Sequence, residues 1–239
     1  LESLALWKDL EKKTGKTLYT KTGALSVGHP ESSFVKESIE SSIKYNLEYE
    51  KMDAEMIMER WSGIKVPNNY IGCYDPESGF LFSEECILAF KEQSIAQGVT
   101  VLENEKVFNI SIEEDSAEVT TSSGVYMSSK LVITAGAWIS ELLKGLDLPI
   151  QPIRKTIGWF QPMQDQLYNK NFPVFVFDTE SDGHYYGFPD FDGSGVKLGR
   201  MDEGHNVDPN NVNREFGSYE EDEGDIRRFL ENYMPKAAG

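Results

Sequence analysis

The chain has 239 residues, with 23 Lys and Arg against 40 Asp and Glu for a formal net charge of −17. That surplus repels phosphate backbones and anionic lipid, arguing against nucleic-acid and membrane-surface roles, and 12% aromatic residues separate the chain from disordered polypeptides. Cys73 and Cys86 form no Cys-x-x-Cys, leaving neither a disulfide scaffold nor a cysteine zinc site, and no apolar run nears the ~20 residues of a membrane helix.

Leu1, Leu4, Trp7 and Leu10 share one helical face that stops at Gly15. Helical periodicity already running at the first residue, with no cap and no signal-peptide pattern before it, reads as a piece of a longer, cytoplasmic protein. Strand-like segments follow at Thr17–Thr20 and Ala24–Gly28, then a helix from Glu31 to Leu47 and a short one at Asp53–Trp61 with Asp53 as N-cap. Tyr70–Tyr74 and Phe80–Phe82 read as short strands on either side of an Asp-Pro-Glu-Ser-Gly turn, and Ser83 opens a helix that ends at Gly98.

From Val99 the rhythm becomes that of strands. Val99–Leu102 reads as a short buried strand, Lys106–Ile112 as an alternating one, and Glu118–Thr121 with Val125–Tyr126 as a hairpin around Ser122-Ser123-Gly124. The continuous apolar run Leu131-Val132-Ile133 predicts a strand covered on both faces, breaking at Ala135-Gly136 into a helix over Trp138–Leu143. Ile153–Gln161, Val174–Phe177, His184–Phe188 and Gly195–Met201 predict antiparallel strands, and a Gly/Asp/Asn-rich loop, Met201–Asn213, leads to a final helix bearing Ile226, Phe229, Leu230 and Tyr233 on one face. The fold class is α+β: a mixed antiparallel sheet with helices, interleaved with part of an α/β domain. The expected division is 1–98, 99–148 and 149–239, the first and last belonging to one domain.

Three segments carry candidate chemistry. Ala135-Gly136-Ala137-Trp138, small residues at a strand-to-helix turn, allows close backbone approach to a ligand; an ordinary turn has the same composition. Gly193-Ser194-Gly195-Val196-Lys197-Leu198-Gly199 fails the G-x-G-x-x-G spacing and reads instead as a turn into a strand. Lys197, between Val196 and Leu198, then points to the opposite sheet face from its neighbours, as a cation for an anionic ligand or as a solvated lysine. In His184-Tyr185-Tyr186-Gly187-Phe188 adjacent tyrosines face opposite sides, so one of the two can line a cavity.

Six blocks in collinear order carry a resemblance: Leu18-Tyr19-Thr20-Lys21-Thr22-Gly23, Gly79-Phe80-Leu81-Phe82-Ser83-Glu84, Gly136-Ala137-Trp138, Tyr185-Tyr186-Gly187-Phe188-Pro189, Val196-Lys197-Leu198-Gly199 and Asn213-Arg214-Glu215-Phe216-Gly217. Across nearly the whole chain they resemble the FAD-dependent amine oxidases that include monomeric sarcosine oxidase and N-methyltryptophan oxidase. The resemblance implies an FAD cofactor, a small secondary-amine substrate such as an N-methyl amino acid, dioxygen as oxidant, and hydrogen peroxide and formaldehyde as products. It implies Lys197 as the catalytic lysine that helps activate dioxygen, Tyr186 as a wall of the substrate cavity, and Val107, Ala135, Gly136 and Trp138 along FAD. Met201 stands where sarcosine oxidases carry a histidine. A thioether relays no proton, which leaves a bulkier or more apolar N-methyl amino acid open as substrate.

The family's glycine-rich FAD turn, its flavin-tethering cysteine and its carboxylate-binding lysine have no counterpart in these residues. The chain therefore reads as an internal fragment, expected to hold no flavin and to turn over no amine in isolation, with self-association through unpaired edges. Glycine-oxidase-like or fructosyl-amino-acid-oxidase-like specificity, or a non-enzymatic binding module of the same fold, are the alternatives.

Overall fold

A computed structural model describes residues 2–143, 145–146, 148–179 and 183–239; Leu1, read above as part of the first helical face, lies outside the described residues. In chain order the elements are α1 (Glu2–Thr14), β1 (Tyr19–Lys21), β2 (Ala24–Gly28), α2 (Ser33–Lys44), β3 (Glu50–Asp53), α3 (Ala54–Arg60), β4 (Ile71–Asp75), β5 (Gly79–Leu81) and α4 (Ser83–Ala96). Then come β6 (Val107–Ile112), β7 (Ala117–Thr121), β8 (Val125–Ser128), α5 (Ile139–Leu142), β9 (Ile153–Arg154), β10 (Ile157–Phe160), β11 (Val174–Asp178), β12 (His184–Phe188), β13 (Val196–Arg200), β14 (His205–Asn206) and α6 (Glu221–Tyr233). Caps fall where side-chain chemistry puts them. The Ser32 hydroxyl accepts the Val35 N–H at 3.3 Å to open α2, and Asp53 accepts the Met56 N–H at 2.9 Å to open α3.

The chain divides into two units. The first comprises Leu1–Ala89, Lys155–Gly204 and Asn213–Gly239. Its frame is a seven-stranded sheet in the order β10-β13-β12-β11-β2-β4-β3, antiparallel except where β11 runs parallel to β2. One face is the core: Leu25, Val27, Phe175, Phe177, Tyr185, Val196 and Leu198 point into it, and α6 supplies Ile226, Phe229, Leu230 and Tyr233. Phe229 stacks on Tyr185 at 4.6 Å and meets Phe177 edge-on at 5.2 Å. The opposite face is only partly covered. α2 packs across β2 and β4, with the Ser38 hydroxyl 3.5 Å from that of Ser26, so it shields one half and leaves β12, β13 and β10 without a helix over them among the described residues. A smaller cluster, Leu18, Cys86 and Ala89 with Trp7 and Leu10, seats α1 beside the β1–β5 pair.

Arg200, at the end of β13, ties the sheet to α6. Its guanidinium donates to Asp225 at 2.6 Å and to Asp202 at 3.0 Å. Burial works against the Asp202 charge, but Arg200 and the His184 backbone N–H more than offset that and hold its carboxyl below the ordinary 3.8. A carboxyl lowered on folding stabilises above its unfolded value and loses that contribution as pH falls through the folded one. Asp202→Asn is therefore expected to lower the urea midpoint at neutral pH, with the gap to the parent chain closing below about pH 3.8.

The second unit comprises Phe90–Arg154 and His205–Val212. It holds the antiparallel sheet β6-β7-β8, the two-stranded pair β9–β14 and a 3-10 turn, Gly136–Trp138, leading into α5. Two expectations are corrected here. Val99–Leu102 forms no strand, and Val99, Val101 and Leu102 are exposed. Leu131–Ile133 forms no strand either, and Val132 is 85% exposed. A strand needs a hydrogen-bonded neighbour, and among the described residues none pairs with either segment. Three smaller differences share a cause in pairing. Ile153–Gln161 is split into β9 and β10, whose partners lie in different sheets; β14 interrupts the Met201–Asn213 loop by pairing with β9; and β3 joins the edge beside β4. The helix expected over Trp138–Leu143 begins two residues earlier as the 3-10 turn.

Candidate functional site

The uncovered sheet face places Lys197 and Tyr186 together. Val196 and Leu198 are buried in the core, so alternation sends Lys197 to the other side, as its sequence position requires. Cross-strand register then fixes its neighbours. Lys197 is paired with Trp159 on β10 and with Phe188 on β12, and both rings stand on the same face as the lysine. The ammonium lies 5.2 Å from the Trp159 ring centroid and 5.3 Å from that of Phe188, within range of a cation–π contact on each side.

Tyr186, two residues before Phe188, meets the Phe188 ring edge-on at 6.1 Å. It lies over Gly199, where a Cβ would come within 2.9 Å of the phenol ring; the glycine allows the tyrosine to lie close against β13. Burial pushes the Tyr186 phenol above its ordinary range, so it stays a neutral donor at physiological pH. Beyond Phe188, the rings of Phe80 (5.6 Å from Phe188) and Phe191 (5.5 Å from Phe80) continue the aromatic wall. Glu84 at the start of α4 is the acidic group that senses Lys197. Its carboxyl is held below the ordinary range by the Ser83 hydroxyl first, with the lysine charge adding to the effect.

Met201 follows β13 directly. It is exposed, its N–H donates to the His184 carbonyl at 2.7 Å, and its own carbonyl accepts from Lys155 at 2.8 Å. Backbone bonds therefore place this residue, leaving its thioether free to pack on whatever approaches.

The other four sequence candidates lie in the second unit. Val107 opens β6 opposite Thr121 and lines a cavity of about 340 Å³ with Leu102, Val119, Tyr126 and Leu131. At its rim, hydroxyls of Thr121 and Ser123 and the Ser123 N–H hold the Glu105 carboxyl down at about 2. Ala135 accepts the Trp138 N–H at 3.1 Å, closing the turn, and Gly136 adopts φ +54° with open space around its Cα. The Trp138 indole donates to Asn210 at 3.1 Å. α5 is four residues long, so this turn offers a glycine-opened backbone rather than the positive end of a full helix. Trp159 went unread in the sequence, because its place beside Lys197 depends on the β10–β13 register. No group of three or more His, Cys, Asp or Glu suited to a metal occurs among the described residues, and no helix among them is long and apolar enough to cross a membrane.

Known proteins resemble this chain in family and in fold. The profile of the FAD dependent oxidoreductase family matches residues 1–239. The chain is 43% identical over 244 residues to monomeric sarcosine oxidase of Bacillus sp. (strain NS-129), covering 100% of this chain and 62% of that protein. It is 30% identical over 239 residues to N-methyl-L-tryptophan oxidase of Salmonella typhi, covering 100% of this chain and 63% of the relative. In structure it resembles L-proline dehydrogenase from P. horikoshii, with a TM-score of 0.78 at 19% identity over 98% of this chain and 61% of the other, a likeness of fold. The chain thus spans somewhat less than two thirds of the length of these relatives, and it belongs to the FAD-dependent oxidoreductase family.

Proposed function

We propose that the protein acts, in the cytoplasm, as an FAD-dependent oxidase of an N-methyl amino acid, and that this chain supplies its substrate-side portion. The observation that carries the reading is the placement of Lys197 and Tyr186 on the same face of the sheet, on neighbouring strands, in a chain 43% identical over its whole length to monomeric sarcosine oxidase. The residues present fit the cofactor at two places. The Val107 cavity is walled by apolar side chains suited to a flat aromatic edge, and the Ala135–Trp138 turn leaves open space at Gly136 for close approach. Bound there, FAD would supply two-electron redox chemistry: the amine is oxidised to an imine while dioxygen is reduced to hydrogen peroxide, and water then hydrolyses the imine to formaldehyde and a primary amino acid.

The residues of this chain position and stabilise. Lys197 holds a fixed cation where negative charge develops on dioxygen, lowering the cost of its reduction without reorganising water. Tyr186, neutral and packed on Gly199, bounds the substrate on one side. Met201 presents a polarizable, apolar surface and favours an amine with an apolar body over the smallest substrate. Val107, Ala135, Gly136 and Trp138 hold the cofactor.

Peroxide release from the FAD-loaded protein, measured across sarcosine, N-methyltryptophan, glycine and glycated amino acids, tests this. The expected order places N-methylated amino acids first, with Met201→His shifting preference toward sarcosine. Preference for glycine or a glycated amino acid, or no peroxide with any amine, would overturn the reading.

A further inference from the structure

We propose that Trp159 and Phe188 are positioning residues that hold the Lys197 ammonium between them and thereby fix where this cation sits on the uncovered sheet face. The inference rests on the role given to Lys197 above. A lysine on an open strand has four rotatable bonds and a strongly hydrated head, so left alone it samples many positions in water. Here the two residues paired across the sheet from it are both aromatic, one on each neighbouring strand. Their ring centroids lie 5.2 and 5.3 Å from the same nitrogen. Two rings on opposite sides restrict the side chain laterally, and their negative faces favour the ammonium without consuming its three N–H donors.

The two rings are supported differently. Phe188 is braced from behind by Phe80, 5.6 Å away and edge-on, and by Tyr186. Trp159 sits on β10, the end strand of the sheet, and is 54% exposed. The indole is therefore the adjustable half of the clamp and the half that can be changed without opening the core. Its neighbours in sequence, Gly158 and Phe160, do the core packing, with Gly158 close against Ile226 of α6.

Two measurements separate this proposal from the one it rests on. In the chain itself, proton NMR of the lysine ε-methylene groups should show one resonance displaced upfield by ring currents, absent in Lys197→Met. Trp159→Leu should return it most of the way toward the exposed lysines, and Trp159→Phe should retain part of the displacement. A Lys197 resonance coincident with the exposed lysines in the parent chain, or one unmoved by Trp159→Leu, would overturn the proposal.

In the FAD-loaded protein, Trp159→Leu should slow flavin reoxidation by dioxygen several-fold while anaerobic flavin reduction by substrate stays unchanged, and Trp159→Phe should recover most of the loss. If Lys197→Met slows reoxidation but Trp159→Leu does not, the positioning role fails and the oxygen role of Lys197 stands. If Lys197→Met leaves reoxidation untouched, the oxygen role fails, and the NMR result alone decides whether the rings hold the lysine.

Discussion

Lys197→Met is expected to slow reoxidation of the reduced FAD-loaded protein by dioxygen by about 10²–10³-fold, the usual cost of removing one preorganised charge stabiliser. Stopped-flow mixing with oxygen reads that step directly, and anaerobic mixing with substrate reads the other half-reaction, which should stay close to the parent rate. The asymmetry follows from where charge appears. Hydride transfer from the amine places no new negative charge on oxygen, whereas dioxygen reduction does. Methionine keeps the length and apolar stem of lysine, so the variant removes charge with little change in packing between Trp159 and Phe188. Equal loss in both half-reactions would mean that the lysine serves binding or folding instead.

The second large effect concerns the sheet that carries this lysine. Phe229→Ala is expected to destabilise the chain by about 3–5 kcal/mol, because truncating a fully buried aromatic leaves a cavity as well as losing transfer energy. Phe229 is 1% exposed and touches Tyr185 at 4.6 Å and Phe177 and Tyr233 each at 5.2 Å between ring centroids, with Phe175 stacked at 6.3 Å. It is the contact through which α6 grips β11 and β12 together. Against a typical total of about 5–15 kcal/mol, such a loss leaves little reserve, and urea unfolding followed by circular dichroism measures it. A change under about 1 kcal/mol would show that α6 contributes little to the sheet.

The candidate site was legible in the sequence one strand at a time. Alternation alone assigns Lys197 a face opposite to Val196 and Leu198, and it separates Tyr185 from Tyr186; the structure places Tyr185 in the core and Tyr186 beside Gly199. Contacts between strands were not legible. The Trp159–Lys197 pairing depends on the β10–β13 register, and the parallel pairing of β11 with β2 joins segments about 150 residues apart. Apolar runs misled where they lacked partners. Leu131–Ile133 and Val99–Leu102 have the composition of covered strands, but composition states a tendency to be buried without naming the neighbour that does the burying. β3, with the sequence Glu-Lys-Met-Asp, has the converse problem: only Met52 points into the core, too little apolar content to mark a strand.

Accessibility of a single amine tests the central claim most directly. Reductive methylation of lysines, quantified by mass spectrometry, compares Lys197 in the FAD-loaded protein with Lys197 in protein produced without FAD. The cofactor is expected to shield Lys197, lowering its labelling several-fold, while exposed lysines on other surfaces such as Lys51 and Lys130 label equally in both. Equal labelling of Lys197 with and without FAD would place the flavin elsewhere and contradict the account.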